Sequence, residues 1–212
     1  MNAISKPMIV NFICEASHLM SENKDYLIEL DAALGDGDLG LTMSTGFGHA
    51  RDFVLEAEDT DLGKLFMKIG MVFAKTVPST MGTLVASGFM KAAKEVSGSA
   101  ELDAASLARF CKGFVEGIME RGKAKPGDRT IVDSINPAYQ ALLQASQDET
   151  SIQELCRIAY DAALKGVEAT KNMMPAFGRA AYFGDKAIGR PDQGAIVGML
   201  IYKALYTAVS KN

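Results

Sequence analysis

Three carboxylates fall within eight residues at Asp31, Asp36 and Asp38, in the run DAALGDGDLG from Asp31 to Gly40. Gly35 and Gly37 alternate with the last two acids, so in an extended or turning loop Asp36 and Asp38 can aim the same way while the glycines allow positive φ. Two carboxylates ~4 Å apart repel by ~4 kcal/mol at an effective dielectric of ~20, which makes such a cluster costly unless a cation sits among the oxygens. All-oxygen ligation suits a hard cation. Magnesium keeps several waters and is held by a few carboxylates plus substrate phosphates, which fits a sparse set of three better than a calcium cage. An EF-hand is disfavoured because the twelfth position counted from Asp36 is Phe47 rather than Glu. A helix beginning near Gly40 would present free N–H groups and a positive dipole end beside the acids, where a phosphate could share the metal. The competing reading is a solvated Gly/Asp turn in which Asp38 only caps that helix.

Three other segments carry polar groups that could serve a ligand. VPSTMG, from Val77 to Gly82, places two hydroxyls and a glycine between helical stripes, either as donors to a phosphate or nucleobase or as an ordinary helix cap. RGKAKPGDRT, from Arg121 to Thr130, is a basic Gly/Pro loop that could close over an anion or simply face solvent. Gly178 and Arg179, then GDKAIGRPDQGA from Gly184, lead into a final helix with Asp192 at its mouth, and an arginine there would suit charge developing on a transferring phosphoryl group. The two histidines, His18 and His49, lie in amphipathic stretches away from these segments and read as surface or boundary residues.

The elements that must position these loops are helical. Apolar residues recur at helical spacing in Ile9, Phe12, Ile13, Ala16, Leu19 and Met20, and again in Leu62, Leu65, Phe66, Ile69, Val72 and Phe73, with similar stripes to Leu205. No segment alternates like a strand. Asp61, Asp103 and Asp192 stand where helix N-caps belong, and Pro7 suits a first turn. Eight or nine helices are expected, with short connections except from Asn172 to Pro191, whose prolines and glycines exclude one regular helix. A single all-α domain of antiparallel helices over residues 1–212 follows.

At 212 residues, 48% hydrophobic and 23% charged, the chain can bury roughly 70% of its unfolded surface without staples or structural metals. Cys14, Cys111 and Cys156 are an odd number set among apolar residues and read as buried thiols of a reducing compartment. A net charge of −4 with no basic face argues against nucleic acid. The longest uncharged stretch, Thr76 to Met90, has 15 residues and contains Pro78, too short to span a bilayer, and no secretory signal is evident, so the cytoplasm is expected.

Taken together, Asp31 with Gly35 to Gly40, RGKAKPGD from Arg121, GRAAYFGDKAIG from Gly178, and Asp192 to Ala195 resemble the L subunit, or nucleotide-binding domain, of the dihydroxyacetone kinases, in the right order along the whole chain. The resemblance implies a helical barrel of about eight helices whose loops at one end hold ADP or ATP through magnesium, two ions in all. It carries the magnesium ligands onto Asp31, Asp36 and Asp38. It carries nucleotide contacts onto Leu39, Gly40, Leu41, Thr42, Thr80, Met81, Gly122, Ile131, Arg179, Asp192, Gln193 and Gly194, with Arg179 also steadying the transferred group. It further implies a separate K-type subunit that holds dihydroxyacetone or a related ketose. The donor is then ATP, or a phosphohistidine-carrying phosphotransferase protein that recharges bound ADP, and a homodimer is a further expectation. The sequence departs from the family pattern where Leu39 replaces His, Thr42 replaces Asn, the Gly-Ala-Ser-Gly-Pro run is missing around Ser79 to Thr83, and Arg190 and Gln193 replace His and Pro. These departures touch the phosphate cradle and leave the three acids in place. The loss of the His at Leu39 keeps open a non-catalytic ADP sensor docking on a partner; a DxD phosphohydrolase is a third reading, disfavoured because its acid pair should follow a buried strand whereas the residues before Asp31 read as a short helix.

Overall fold

The computed structural model describes residues 2–148 and 150–211. Its helices are α1 (Lys6–Glu22), α2 (Lys24–Leu34), α3 (Leu39–Glu56), α4 (Leu62–Thr76), α5 (Thr80–Glu95), α6 (Ala104–Gly122), α7 (Val132–Ala145), α8 (Ile152–Thr170) and α9 (Gln193–Ser210), with a 3-10 segment over Arg179–Ala187. Each expected stripe becomes a buried face: Ile9, Phe12, Ile13, Ala16, Leu19 and Met20 are all buried on α1. Boundaries are fixed by side chains where expected. Asp61 accepts from the Gly63 and Lys64 N–H groups, Asp103 from Ser106 N and Asp192 from Ala195 N, while Pro7 occupies the first turn of α1.

The helices close on themselves. α1 packs on α3, then α3 on α4, and so in chain order to α9, which returns to α1. α2 stands outside that ring, lying mainly on α3 and touching the 3-10 segment. Phenylalanines from α3, α4, α5 and α6 fill the interior: Phe89 lies 5.1 Å from Phe114 and 6.0 Å from Phe73, ring to ring, and Phe66 lies 4.3 Å from Phe110. A cavity of about 20 Å³ between these rings and Tyr202 is lined almost wholly by apolar atoms, which leaves space for a water at most. Among the described residues the interior thus offers no ligand-sized space, and the larger clefts are bordered by loops.

Two sequence expectations need correction. A short antiparallel ribbon exists: β1 (Ala3–Ser5) pairs with β2 (Glu101–Asp103), opposing Ile4 with Leu102. Both central residues are buried and their neighbours are not, but an alternation three residues long leaves no readable period. Among the cysteines, Cys111 and Cys156 are buried, with burial pushing the Cys111 thiol up to about 12, whereas Cys14 is only half-buried, on a flank of α1 within electrostatic reach of Arg51. Among the described residues no helix is long and apolar enough to cross a membrane.

Candidate functional site

The acidic segment is organised by its first member. Asp31 sits in the last turn of α2, buried, and its Oδ2 accepts hydrogen bonds from Asp38 N at 3.0 Å and Leu39 N at 3.3 Å. The chain between them must fold back over that carboxylate, and Gly35 makes this possible: a Cβ there would lie 2.5 Å from Asp31 Oδ1 and 2.9 Å from its carbonyl oxygen. The turn brings carboxylate oxygens of Asp31, Asp36 and Asp38 within 4.8 Å of one another. Asp36 and Asp38 remain exposed. Partial burial, then the Asp36 and Asp31 charges, raise the Asp38 carboxyl above the usual range, while Arg179 opposes the shift.

That crowding is what a divalent cation would relieve, and the donor set is all oxygen, so the residues fit magnesium. A positive group already stands against them. Arg179, at the start of the 3-10 segment, places Nη2 2.9 Å from Asp36 Oδ2. Both side chains are largely exposed, so the pair itself is worth ~0–1 kcal/mol and does not hold Arg179 rigidly.

The acids open on a cleft of about 330 Å³, within the usual range for small-molecule sites. Of the residues named from sequence, the cleft is lined by all three acids and by Leu39, Thr80, Met81, Ile131, Arg179, Asp192, Gln193 and Gly194. Gly194 shows how closely these segments converge: a Cβ on it would come 3.0 Å from Met81 Cε, 3.0 Å from Asp192 Oδ1 and 3.2 Å from Ile131 N. Gln193 reaches across the cleft, Nε2 donating to Asp31 Oδ1 at 3.1 Å. Gly40 and Thr42 are buried off the lining, Leu41 is exposed away from it, and Gly122 stands one side chain back, behind Leu84. The N-terminus of α3 also differs in detail from expectation, because its first N–H, on Leu39, is spent on Asp31. Asp38 is the residue before α3 but makes no side-chain cap bond there. Ser79 does cap α5, accepting from Gly82 N at 3.0 Å, so VPSTMG is a helix cap that also borders the cleft.

Sequence reasoning named Asp192 as a helix cap and nucleotide contact but missed how deeply it is buried, and it named neither Arg129 nor Thr130 as a site residue. Asp192 is fully enclosed, and loss of solvent pushes its carboxyl up to about 7 even though Ala195 N and Arg129 favour the ionised form. Arg129 and Thr130 line the cleft from the loop before α7, which Asp133 shapes by accepting from Thr130 N at 2.7 Å and Gly127 N at 2.5 Å. The only signal for Arg129 is its place in a Gly/Pro loop, and nothing in the sequence says that it is 1% exposed.

The chain is similar to known proteins along most of its length. The family described as the DAK2 domain matches residues 33–207. The chain is 30% identical over 209 residues to the ADP-binding subunit of the PEP-dependent dihydroxyacetone kinase of Escherichia coli strain K12, covering 99% of this chain and 100% of that one. It is 32% identical over 206 residues to the corresponding subunit of Listeria innocua, covering 97% and 98%. The crystal structure of the dihydroxyacetone kinase from C. freundii in complex with AMP-PNP and Mg2+ shares the fold, with a TM-score of 0.71 and 24% identity over 94% of this chain, which spans only 33% of the solved one. The chain belongs to the DAK2 domain family, among the L subunits of the dihydroxyacetone kinases.

Proposed function

We propose that this chain is a nucleotide- and magnesium-binding phosphotransferase subunit that delivers a phosphoryl group to dihydroxyacetone, or a related small ketose, held by a separate K-type subunit. The observation that carries the reading is the trio Asp31, Asp36 and Asp38, with oxygens within 4.8 Å and Arg179 against Asp36, on a cleft at the end of a closed helical ring. Bound magnesium, two ions by the family resemblance, would supply charge neutralisation on the β- and γ-phosphates. The protein's own part is positioning. Gly35 lets the Asp31 carboxylate sit under the turn, Gln193 and two backbone N–H groups orient it, and the exposed Arg179 is free to exchange its carboxylate partner for a phosphoryl oxygen. In the transfer the bond between the γ-phosphorus and the β-phosphate bridging oxygen breaks. A new bond forms to the acceptor hydroxyl oxygen, whose proton passes to solvent, and ADP remains.

Several relatives are named ADP-binding subunits of PEP-dependent or PTS-dependent kinases, which supports recharging of ADP held in this cleft by a phosphohistidine-carrying partner. The L-erythrulose 1-kinase of Mycolicibacterium smegmatis, 32% identical over 190 residues, supports a tetrulose as an alternative acceptor. Leu39, apolar and buried where the family pattern has an imidazole, favours one second reading, an ADP-binding regulatory subunit that transfers nothing. Calorimetry with ADP, with and without magnesium, on the wild type and Asp36→Asn tests the site: binding should require magnesium and should fail in the variant, whose circular dichroism stays native. Magnesium-independent affinity shared by both proteins refutes it. Mixing the chain with a K-type subunit, ATP and dihydroxyacetone or erythrulose, or with ADP and a phosphohistidine donor, separates transfer from the regulatory alternative.

A further inference from the structure

We infer that Arg129, a buried residue outside the phosphate-facing groups, is a positioning residue that clasps the segment carrying Arg179 over the cleft; this rests on the function proposed above. The segment 171–191 leaves α8, runs through the 3-10 turn and enters α9, and Arg179 stands at its exposed side. Since the Arg179–Asp36 pair is solvent-exposed, the position of Arg179 must be set by what holds the segment beneath it.

The Arg129 guanidinium holds that segment at two points and anchors it to the end of α8 at a third. Nε donates to the carbonyl of Thr170 at 3.3 Å, and Nη2 donates to those of Ala187 at 3.1 Å and Arg190 at 3.0 Å. One planar cation therefore joins the end of α8, the end of the 3-10 turn and the residue two before the cap of α9. Thr170 extends the knot, its Oγ1 accepting from Asp192 N at 2.9 Å. Other ties, such as Gly189 N to Lys171 O at 2.7 Å and the apolar cluster of Leu34, Ala180 and Ala187, mean the segment should stay folded, though looser, without the arginine.

Two features show that the side chain is held at a cost. Arg129 adopts φ +59°, a left-handed conformation that favours glycine, within the turn tied down by Asp133. Its Nη1 is buried with no hydrogen-bond partner among the described residues, although Arg129 lines the cleft. A buried donor left unmet is unfavourable. Arg129 lines the cleft while its guanidinium grips the segment that carries Arg179, so occupancy of the cleft and placement of Arg179 become coupled through the clasp.

The test pairs Arg129→Gly, which suits the backbone and removes the clasp, with Arg129→Lys, which keeps charge but not the planar fork. Each is made in the wild type and in Arg179→Ala. In the ligand-free chain, amide exchange over 171–191 should accelerate roughly tenfold or more in Arg129→Gly, with α4 and α5 unchanged, and Arg129→Lys should fall between. Magnesium–ADP should slow exchange of that segment in the wild type and do so less in Arg129→Gly. Phosphoryl transfer should fall roughly tenfold or more for Arg129→Gly with Arg179 present, but within about twofold when Arg179 is already alanine. Equal losses in both backgrounds would show that Arg129 does not act through Arg179, and unchanged exchange in the segment would remove the clasp altogether. If the wild type itself neither binds magnesium–ADP nor transfers phosphate, the proposed function fails, while the ligand-free exchange still decides whether the clasp exists.

Discussion

At Arg179 the decisive quantity is how little its ion pair is worth. A contact of 2.9 Å between two exposed side chains contributes ~0–1 kcal/mol, so Arg179→Ala should leave the fold nearly intact, and magnesium–ADP affinity as well if the residue acts on the transferring group rather than on bound ADP. If Arg179 acts on the transferring group, turnover should drop by roughly 10³-fold or more, and parallel losses in binding and turnover would reduce it to a binding residue. Asp192 poses the opposite case, a carboxyl so enclosed that the neutral form is favoured up to about pH 7. Its ordinary value is 3.8, so between about pH 4 and pH 7 the folded state binds more protons than the unfolded one. Stability contributed at this site is thus present at low pH and declines as pH rises through that window. Asp192→Asn keeps an acceptor for Ala195 N and removes the titration. In EDTA, the variant's stability relative to wild type should be flat below about pH 4, climb to about pH 7 and then level; urea titrations at several pH values that run parallel throughout would contradict the buried titration.

The turn between α2 and α3 is the element on which metal binding depends. Its conformation comes from one buried carboxylate collecting two N–H groups across seven and eight residues, with glycine where a Cβ would meet that carboxylate. Gly35→Ala should therefore displace Asp31 and weaken magnesium-dependent ADP binding by roughly tenfold or more, with native helicity, since the helices on either side carry their own buried faces. Unchanged affinity would mean that the turn reforms without Asp31 at its centre. The same element shows what was readable from sequence. Three acids interleaved with glycines sit between two amphipathic stripes, so their grouping and the helical state of their neighbours were legible, as were the caps at Asp61, Asp103 and Asp192. Arg129 was not, because its three acceptors are backbone carbonyls 41, 58 and 61 residues away, and carbonyls carry no sequence signature. The ribbon of β1 and β2 was hidden for a related reason: its pairing spans the chain from Ala3 to Asp103, while each strand is three residues long. Leu39, Gly40, Leu41 and Thr42, named together by resemblance, are split by helical geometry, since successive residues at the start of α3 point in different directions and only the first lines the cleft.

For the whole molecule, ring closure separates stability from chemistry. The interior is filled by aromatic side chains, and the cleft lies at one end, built from the acidic turn, the α5 N-terminus, the loop before α7 and the segment before α9. Phe89 is the hub of that interior, 1% exposed, with Phe66, Phe73 and Phe114 around it and one edge on the small cavity. Removing it leaves a hole that the ring cannot close without moving α5 against α4 and α6 together, because each of those neighbours is held by the next helix round. Phe89→Ala should then cost ~3–5 kcal/mol, near the upper end for large-to-small changes, and lower the melting temperature by roughly 6–20 °C for a chain of this size. α5 also carries Thr80 and Met81 into the cleft, so a shift along its whole length would appear as weaker nucleotide binding. The Ser79 cap fixes the first turn of α5 locally, whereas Phe89 lies two to three turns away, so magnesium–ADP affinity measured well below the melting transition should stay within about threefold of wild type. A matched loss of stability and affinity would show instead that the interior packing sets the geometry of the cleft, and that the ring and its loops move as one body.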